Sequence, residues 1–126
     1  MEQNRKFDLE DRLIKFAIRM MDVSENLPCT KAGNHIAGQL VRSGTSPALN
    51  YGEVQAAESK ADFTHKMKVI LKELRETLVA LKIIKKVSLF KKIDLVENGM
   101  IECNELISIF VKSIETARRN NEKGKK

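Results

Sequence analysis

Apolar residues recur along this chain at alternating steps of three and four, in four sets parted by brief polar interruptions, and no stretch alternates with period two. That spacing gives each of four helices one apolar face and leaves no strand signal. The first set is Leu9, Leu13, Phe16, Met20, Val23 and Leu27, and the second is Ile36, Leu40, Ser43, Pro47, Asn50, Val54 and Ala57. The third runs Phe63, Met67, Ile70, Leu74, Leu78 and Leu81; the fourth runs from Leu89 through Ile93, Val96, Met100, Cys103, Ile107, Phe110 and Ile114 to Ala117. Pro28 ends the first helix and Thr30 caps the second. Ser59-Lys60-Ala61-Asp62 has the form of a capping box with Asp where Glu or Gln is usual, and Ser88 is placed to cap the fourth helix. Turns around residues 28–30, 58–59 and 87–88 are short, which sets consecutive helices antiparallel with crossings of about 20°. The expected fold is all-α: an up-and-down antiparallel four-helix bundle forming one domain over residues 1–117, with 118–126 as a flexible basic tail.

The second helix is the unusual one. It carries four of the chain's six glycines, Gly33, Gly38, Gly44 and Gly52, with Pro47 in its middle. An interior glycine costs about 0.5–1 kcal/mol relative to alanine and an interior proline about 3 kcal/mol. The core spacing nevertheless passes through Pro47 in phase, which predicts one helix kinked there; the alternative is two shorter helices broken at Ser43-Gly44-Thr45-Ser46. Gly44, Ala48, Gly52 and Ala56 form a ridge of small residues that lets another backbone approach. With Val41 and Ala37, the ridge lies well off the Ile36–Val54 seam, so this helix is small or apolar over most of its circumference. That pattern predicts packing on two sides, its own bundle within and a second copy without; a small-residue surface of no consequence is the plainer reading.

Composition narrows the function classes. The chain has 126 residues and a net charge of +6, but residues 118–126 hold five bases and one acid, leaving only +2 over residues 1–117. A basic excess gathered at one terminus is weak evidence for a nucleic-acid surface. The longest apolar runs, such as Leu78-Val79-Ala80-Leu81, are too short to span a membrane. The N-terminus lacks an apolar signal segment, which predicts a cytoplasmic protein. Cys29 and Cys103 then read as free thiols, Cys103 as a small core residue.

Catalytic motifs are missing. His35 and His65 fall at levels roughly 17 residues apart, or about 25 Å along the bundle, too far to share a metal. Asp62-Phe63-Thr64-His65 is one unpaired Asp-x-x-His, where di-iron bundles need two Glu-x-x-His units and more carboxylates. Gly33-Asn34-His35-Ile36-Ala37-Gly38 lacks the Lys-Ser or Lys-Thr of a phosphate loop, and Gly44-Thr45-Ser46-Pro47-Ala48 lacks the second glycine of a nucleophile elbow. No cofactor, metal or small-molecule substrate is expected.

The polar residues that stand out suit binding. Asn50 on the core seam either fixes register and oligomer state or bonds backbone freed by Pro47. Arg42 and Glu53 share a stripe of the second helix, with Glu73 and Glu76 as counter-charges on the third; Arg42 pairs within the chain or across subunits. Lys82, Lys85, Lys86, Lys91 and Lys92 gather at one bundle end, with Lys31 near the first turn, and Arg118 and Arg119 project at the other. They either suit the helix dipoles and stay solvated or contact phosphates with little base readout, since one tyrosine and no tryptophan are available to stack.

The run from Gly38 to Glu53 resembles the second-helix signature of the bacterial four-helix bundle proteins, also called 23S rRNA intervening-sequence proteins and earlier grouped as ribosomal. The matching positions are Gln39, Leu40, Arg42, Ser46, Pro47, Asn50, Gly52 and Glu53, and Phe63–Leu81 is similar to the family's third helix. Gly44 and Tyr51 depart from the pattern, which takes a bulkier small residue and a smaller aliphatic there. The resemblance implies a left-handed bundle that assembles as a homo-oligomer, a pentamer in relatives, with no enzymatic activity. More distantly it is similar to retroelement accessory variability proteins, basic pentamers that bind nucleic acid and a reverse transcriptase. The expectation is a non-catalytic oligomer built through Val41, Arg42, Gly44, Ala48, Asn50, Gly52, Glu53 and Ala56, binding ribosomal RNA or other nucleic acid through its basic patches. The alternative is a protein-binding adaptor or assembly factor with no nucleic-acid contact.

Overall fold

The computed structural model describes residues 3–87 and 91–124. Among the described residues there are four helices and no strand: α1 (Gln3–Glu25), α2 (Lys31–Gln55), α3 (Lys60–Lys86) and α4 (Ile93–Gly124). Each helix packs on its neighbours in chain order and α4 returns to α1, while the diagonal pairs α1–α3 and α2–α4 make no close backbone approach. α4 runs on through the residues set apart as a tail, as far as Gly124.

Local chemistry starts the helices where the sequence predicts. Thr30 is extended and its Oγ1 accepts the Gly33 N–H at 3.0 Å, satisfying one orphan donor of the first turn of α2. Ser59 Oγ accepts the Asp62 N–H at 3.0 Å, and Asp62 Oδ2 accepts the N–H of Glu58 at 3.2 Å. The shorter aspartate thus closes the box one residue outside the cap. Lys66 first, then that Glu58 N–H, hold the Asp62 carboxyl below its ordinary pKa. Lys85 and Lys86 occupy the last turn of α3, where cations suit the dipole. Helix α3 ends at Lys86 and α4 starts at Ile93, later than the turn expected at 87–88 implies; the Ser88 cap and the Leu89 seam position lie outside the described residues.

α2 is one helix through Pro47, not two. Pro47 withholds a donor from the Ser43 carbonyl, yet it is buried on the core face with Leu40, Ser43, Gly44 and Val54. The core follows the expected seams on α1, with Leu13, Phe16, Met20, Val23 and Leu27 buried. On α3, Leu78 is only partly buried, and Thr77, Ala80 and Ile84 take the inward positions beside Leu81. Thr77 can do so because its hydroxyl lies 2.9 Å from the Ser43 hydroxyl and 2.8 Å from the Glu73 carbonyl, leaving no orphan. On α4, Leu106 is buried while Met100 and Ile107 are packed at its margin.

Met20 is fully buried at the centre, and two glycines on two other helices make room for it. A Cβ on Gly44 would lie 2.6 Å from both Met20 Cβ and Cγ; one on Gly99 would meet Met20 Cε at 3.0 Å and Leu81 Cδ1 at 3.6 Å. Gly38 and Gly52 have nothing within 4 Å of such an atom.

These geometries rank four substitutions. Gly44→Ala forces α1 and α2 apart, since the clash involves the root of the Met20 side chain, and should destabilise by about 1–3 kcal/mol. Gly99→Ala meets only the mobile methyl end of Met20 and should cost less. Gly38→Ala and Gly52→Ala relieve the helix of flexible residues in open space and should stabilise by about 0.5–1 kcal/mol. Urea denaturation of the four variants checks the order.

Candidate assembly and nucleic-acid surfaces

The small-residue ridge of α2 splits in two. Gly44 is buried inside the single chain, where the backbone it admits is that of α1 rather than a second copy. Gly52 and Ala56 are exposed, and Val41 and Ala48 are half-buried on the same outer side. Thr45, half-buried, donates its hydroxyl to the Val41 carbonyl at 2.6 Å, a bond within α2. Asn50 is half-buried and its Nδ2 donates to Ser46 Oγ at 3.3 Å, a bond within α2. Glu53 is exposed.

Arg42 lies across the α2–α3 seam, its Nη2 3.6 Å from Glu76 Oε2 and its Nη1 4.0 Å from Glu73 Oε2. This is the intrachain pairing that the sequence offers. Both distances exceed a hydrogen bond, and those two carboxylate oxygens are buried without a hydrogen-bond partner. Beside them runs an open groove of 990 Å³ between α2 and α3, with Ile36, Leu71, Val79 and Ile83 as its apolar surface and Lys68, Lys72 and Arg75 along it.

The expected phosphate-contacting residues are all exposed: Lys82, Lys85, Lys86, Lys91 and Lys92 around the third connection, and Arg118 and Arg119 near the far end of α4. Lys85 is partly committed, its Nζ lying 3.0 Å from Glu97 Oε2 on α4. The structure adds three bases that the sequence reading passed over. Lys68, Lys72 and Arg75 are exposed and, among the described residues, have no ion-pair partner. Their i, i+4, i+7 spacing was the available signal, since it places all three on the outer face of α3.

Arg12 of α1 binds Glu102 of α4 bidentately, Nε to Oε2 at 3.1 Å and Nη2 to Oε1 at 2.7 Å, across the seam with the fewest backbone neighbours. Cys103 is buried, its thiol donating to the Leu74 carbonyl at 3.2 Å, whereas Cys29 is exposed. His35 lines the α2–α3 groove and His65 sits exposed in the second turn of α3. Among the described residues no helix is long and apolar enough to cross a membrane.

Residues 5–112 match the family model of the 23S rRNA-intervening sequence protein. A solved structure from Bacteroides thetaiotaomicron, a protein of unknown function from the S23 ribosomal protein family, is similar over 84% of this chain and 97% of its own, with 26% identity and a TM-score of 0.77. No curated protein matches the chain.

The two thiols should separate cleanly by reactivity. Burial, with Glu102 adding to it, pushes the Cys103 thiol up to about 12, so its thiolate is scarce at neutral pH. Titration of the native protein with a thiol reagent at pH 7.5 should modify one cysteine, Cys29, and urea should release the second. Rapid modification of both without denaturant would contradict the packing around Leu74.

Proposed function

The chain belongs to the 23S rRNA-intervening sequence protein family, and from that membership we propose that it is a non-catalytic, cytoplasmic homo-oligomer, a pentamer, that binds ribosomal RNA or other structured nucleic acid through phosphate contacts. The single observation that carries this reading is the concentration of exposed bases at one bundle end, Lys82, Lys85, Lys86, Lys91 and Lys92. Only Lys85 of these five has an ion-pair partner among the described residues. Arg118 and Arg119 form a second cluster on α4. Phosphate contacts of this kind give affinity without sequence readout, and repetition around a ring multiplies them.

The finer architecture belongs to the same proposal. The bundle is up-and-down and left-handed, and α2 bends at Pro47. Contact pairs support antiparallel neighbours: Ser43 with Thr77, Leu74 with Cys103, and Lys85 with Glu97 fall at register positions that run in opposite senses along successive helices. The subunits meet through the outer side of α2, where Val41, Ala48, Gly52 and Ala56 offer a surface low enough for a second helix. Arg42, Asn50 and Glu53 flank it.

Light scattering on the purified chain should return a multiple of the 14.3 kDa subunit mass. In filter binding, a structured rRNA fragment should bind with an affinity that falls steeply as salt rises. Replacing Lys82, Lys91 and Lys92 with Gln should lower the log–log salt slope by about one for each phosphate contact removed. Absence of binding at low salt, or affinity indifferent to salt, would remove the nucleic-acid reading.

A further inference from the structure

α1 carries an outer row that its own bundle leaves uncovered. Ile14 is 43% exposed and Ile18 59%, both large aliphatics on a helix whose opposite face supplies the core. The row begins one turn earlier with Asp11 and continues with Asp22 and Glu25, all exposed. Read along α1 the order is acid, aliphatic, aliphatic, acid, acid, at steps of three, four, four and three.

α3 carries the complement. Val79 is 55% exposed and Ile83 42%, again outside the core. Read backwards from its C-terminal end, the outer row of α3 is Lys86, Ile83, Val79, Arg75 and Lys72, all exposed. The order is base, aliphatic, aliphatic, base, base, at the same steps of three, four, four and three. Both rows span 14 residues, about 21 Å of helix. The three bases of the α3 row, Lys72, Arg75 and Lys86, have no ion-pair partner among the described residues. On α1, Asp11 is held by Lys15 at 3.0 Å, while Asp22 and Glu25 have no ion-pair partner among the described residues.

We propose that α1 of one copy docks antiparallel onto α3 of a second copy, seated in the α2–α3 groove. Ile14 then meets Ile83 of the partner subunit and Ile18 meets Val79 of the partner subunit. Asp11, Asp22 and Glu25 face Lys86 of the partner subunit, Arg75 of the partner subunit and Lys72 of the partner subunit, respectively. The groove, 990 Å³ and open to solvent, provides the trough in which a helix can lie. The antiparallel sense also opposes the two helix dipoles.

One copy cannot satisfy itself, because α1 and α3 are diagonal in the bundle and make no close approach. Nor can two copies satisfy each other through one twofold contact, since α1 and α3 lie at diagonal corners and their outer rows cannot both face the same partner. The contact is head-to-tail, and such contacts close into rings where the rotation permits. The inference rests on the homo-oligomer reading above and names the surfaces that would build it. It places the open side of the α2 ridge, which borders α1, at the margin of the same contact.

Charge exchange tests it, with circular dichroism to verify helical content. Glu25→Lys and Lys72→Glu should each raise the concentration of half-assembly by about tenfold or more, because each sets like charges together. The two together should restore wild-type assembly. In a Cys29→Ser background, Ile18→Cys with Val79→Cys should form disulfide-linked multimers, and either cysteine alone should not. A wild-type chain that stays monomeric at all concentrations overturns both this docking and the oligomer reading. A wild-type oligomer unaffected by the charge reversals, with no cross-linked multimers, overturns the docking alone. Lys72→Glu that preserves assembly but weakens RNA retention assigns the α3 face to nucleic acid and likewise overturns the docking.

Discussion

The packing of this bundle turns on one unbranched side chain. Met20 reaches from α1 across the centre and is accommodated by Gly44 of α2 and Gly99 of α4, with Leu81 of α3 beside its methyl group. A thioether can fill such a passage because three rotatable bonds let it adapt where a branched chain would strain. Side chains or glycines of all four helices thus meet at this one residue. The cost of placing glycines within helices, about 0.5–1 kcal/mol each, is offset where dispersion contacts replace a missing Cβ. At Gly38 and Gly52 no such contact exists within the chain.

α2 bears the consequences. Its inner half meets α1 through Gly44 and α3 through the Ser43–Thr77 hydroxyl pair, so it is held by a close contact on each flank. A proline in that position removes a backbone donor but leaves the helix unbroken, since packing on both sides fixes its course regardless of one lost bond. Arg42 then bridges to Glu73 and Glu76 at the rim of that seam. Its guanidinium balances charges that would otherwise weaken the basic character of the neighbouring α3 face.

Most of the architecture was legible in the spacing. Steps of three and four located all four helices, and the caps at Thr30 and Ser59 followed from side-chain chemistry alone. What escaped was physical detail that depends on a neighbour. Thr77 reads as surface on composition, and only its hydroxyl pairing with Ser43 explains its place in the core. Gly44 was read as admitting another backbone, which is right in kind; which backbone depends on the rotation of α2, and one-dimensional spacing does not supply that angle. Gly99 carried no signal, because a lone glycine in a helix has many explanations. The Arg12–Glu102 clamp joins residues 90 positions apart, beyond any local pattern. Among the candidate surfaces, the lysine cluster at the third connection was visible as a run in sequence. Lys68, Lys72 and Arg75 were not, because helical spacing disperses them among unrelated residues.

On the proposed docking, assembly and nucleic-acid binding would use different parts of the basic surface around α3. Arg12, Arg42, Lys15, Lys66 and Lys85 are occupied by carboxylates of the same chain. Among the exposed charges left without an ion-pair partner in the described residues are Asp22 and Glu25 on α1 and Lys68, Lys72 and Arg75 on α3, at diagonal corners of the bundle. Stacked head to tail, the same separation brings opposite charges together at each junction. It also covers Lys72 and Arg75 while leaving Lys82, Lys91 and Lys92 beyond the contact at one rim. A ring joined in this way would leave Lys82, Lys91 and Lys92 on one edge, where a folded RNA, too wide to enter a groove, could meet phosphate-binding lysines, with Arg118 and Arg119 at the other.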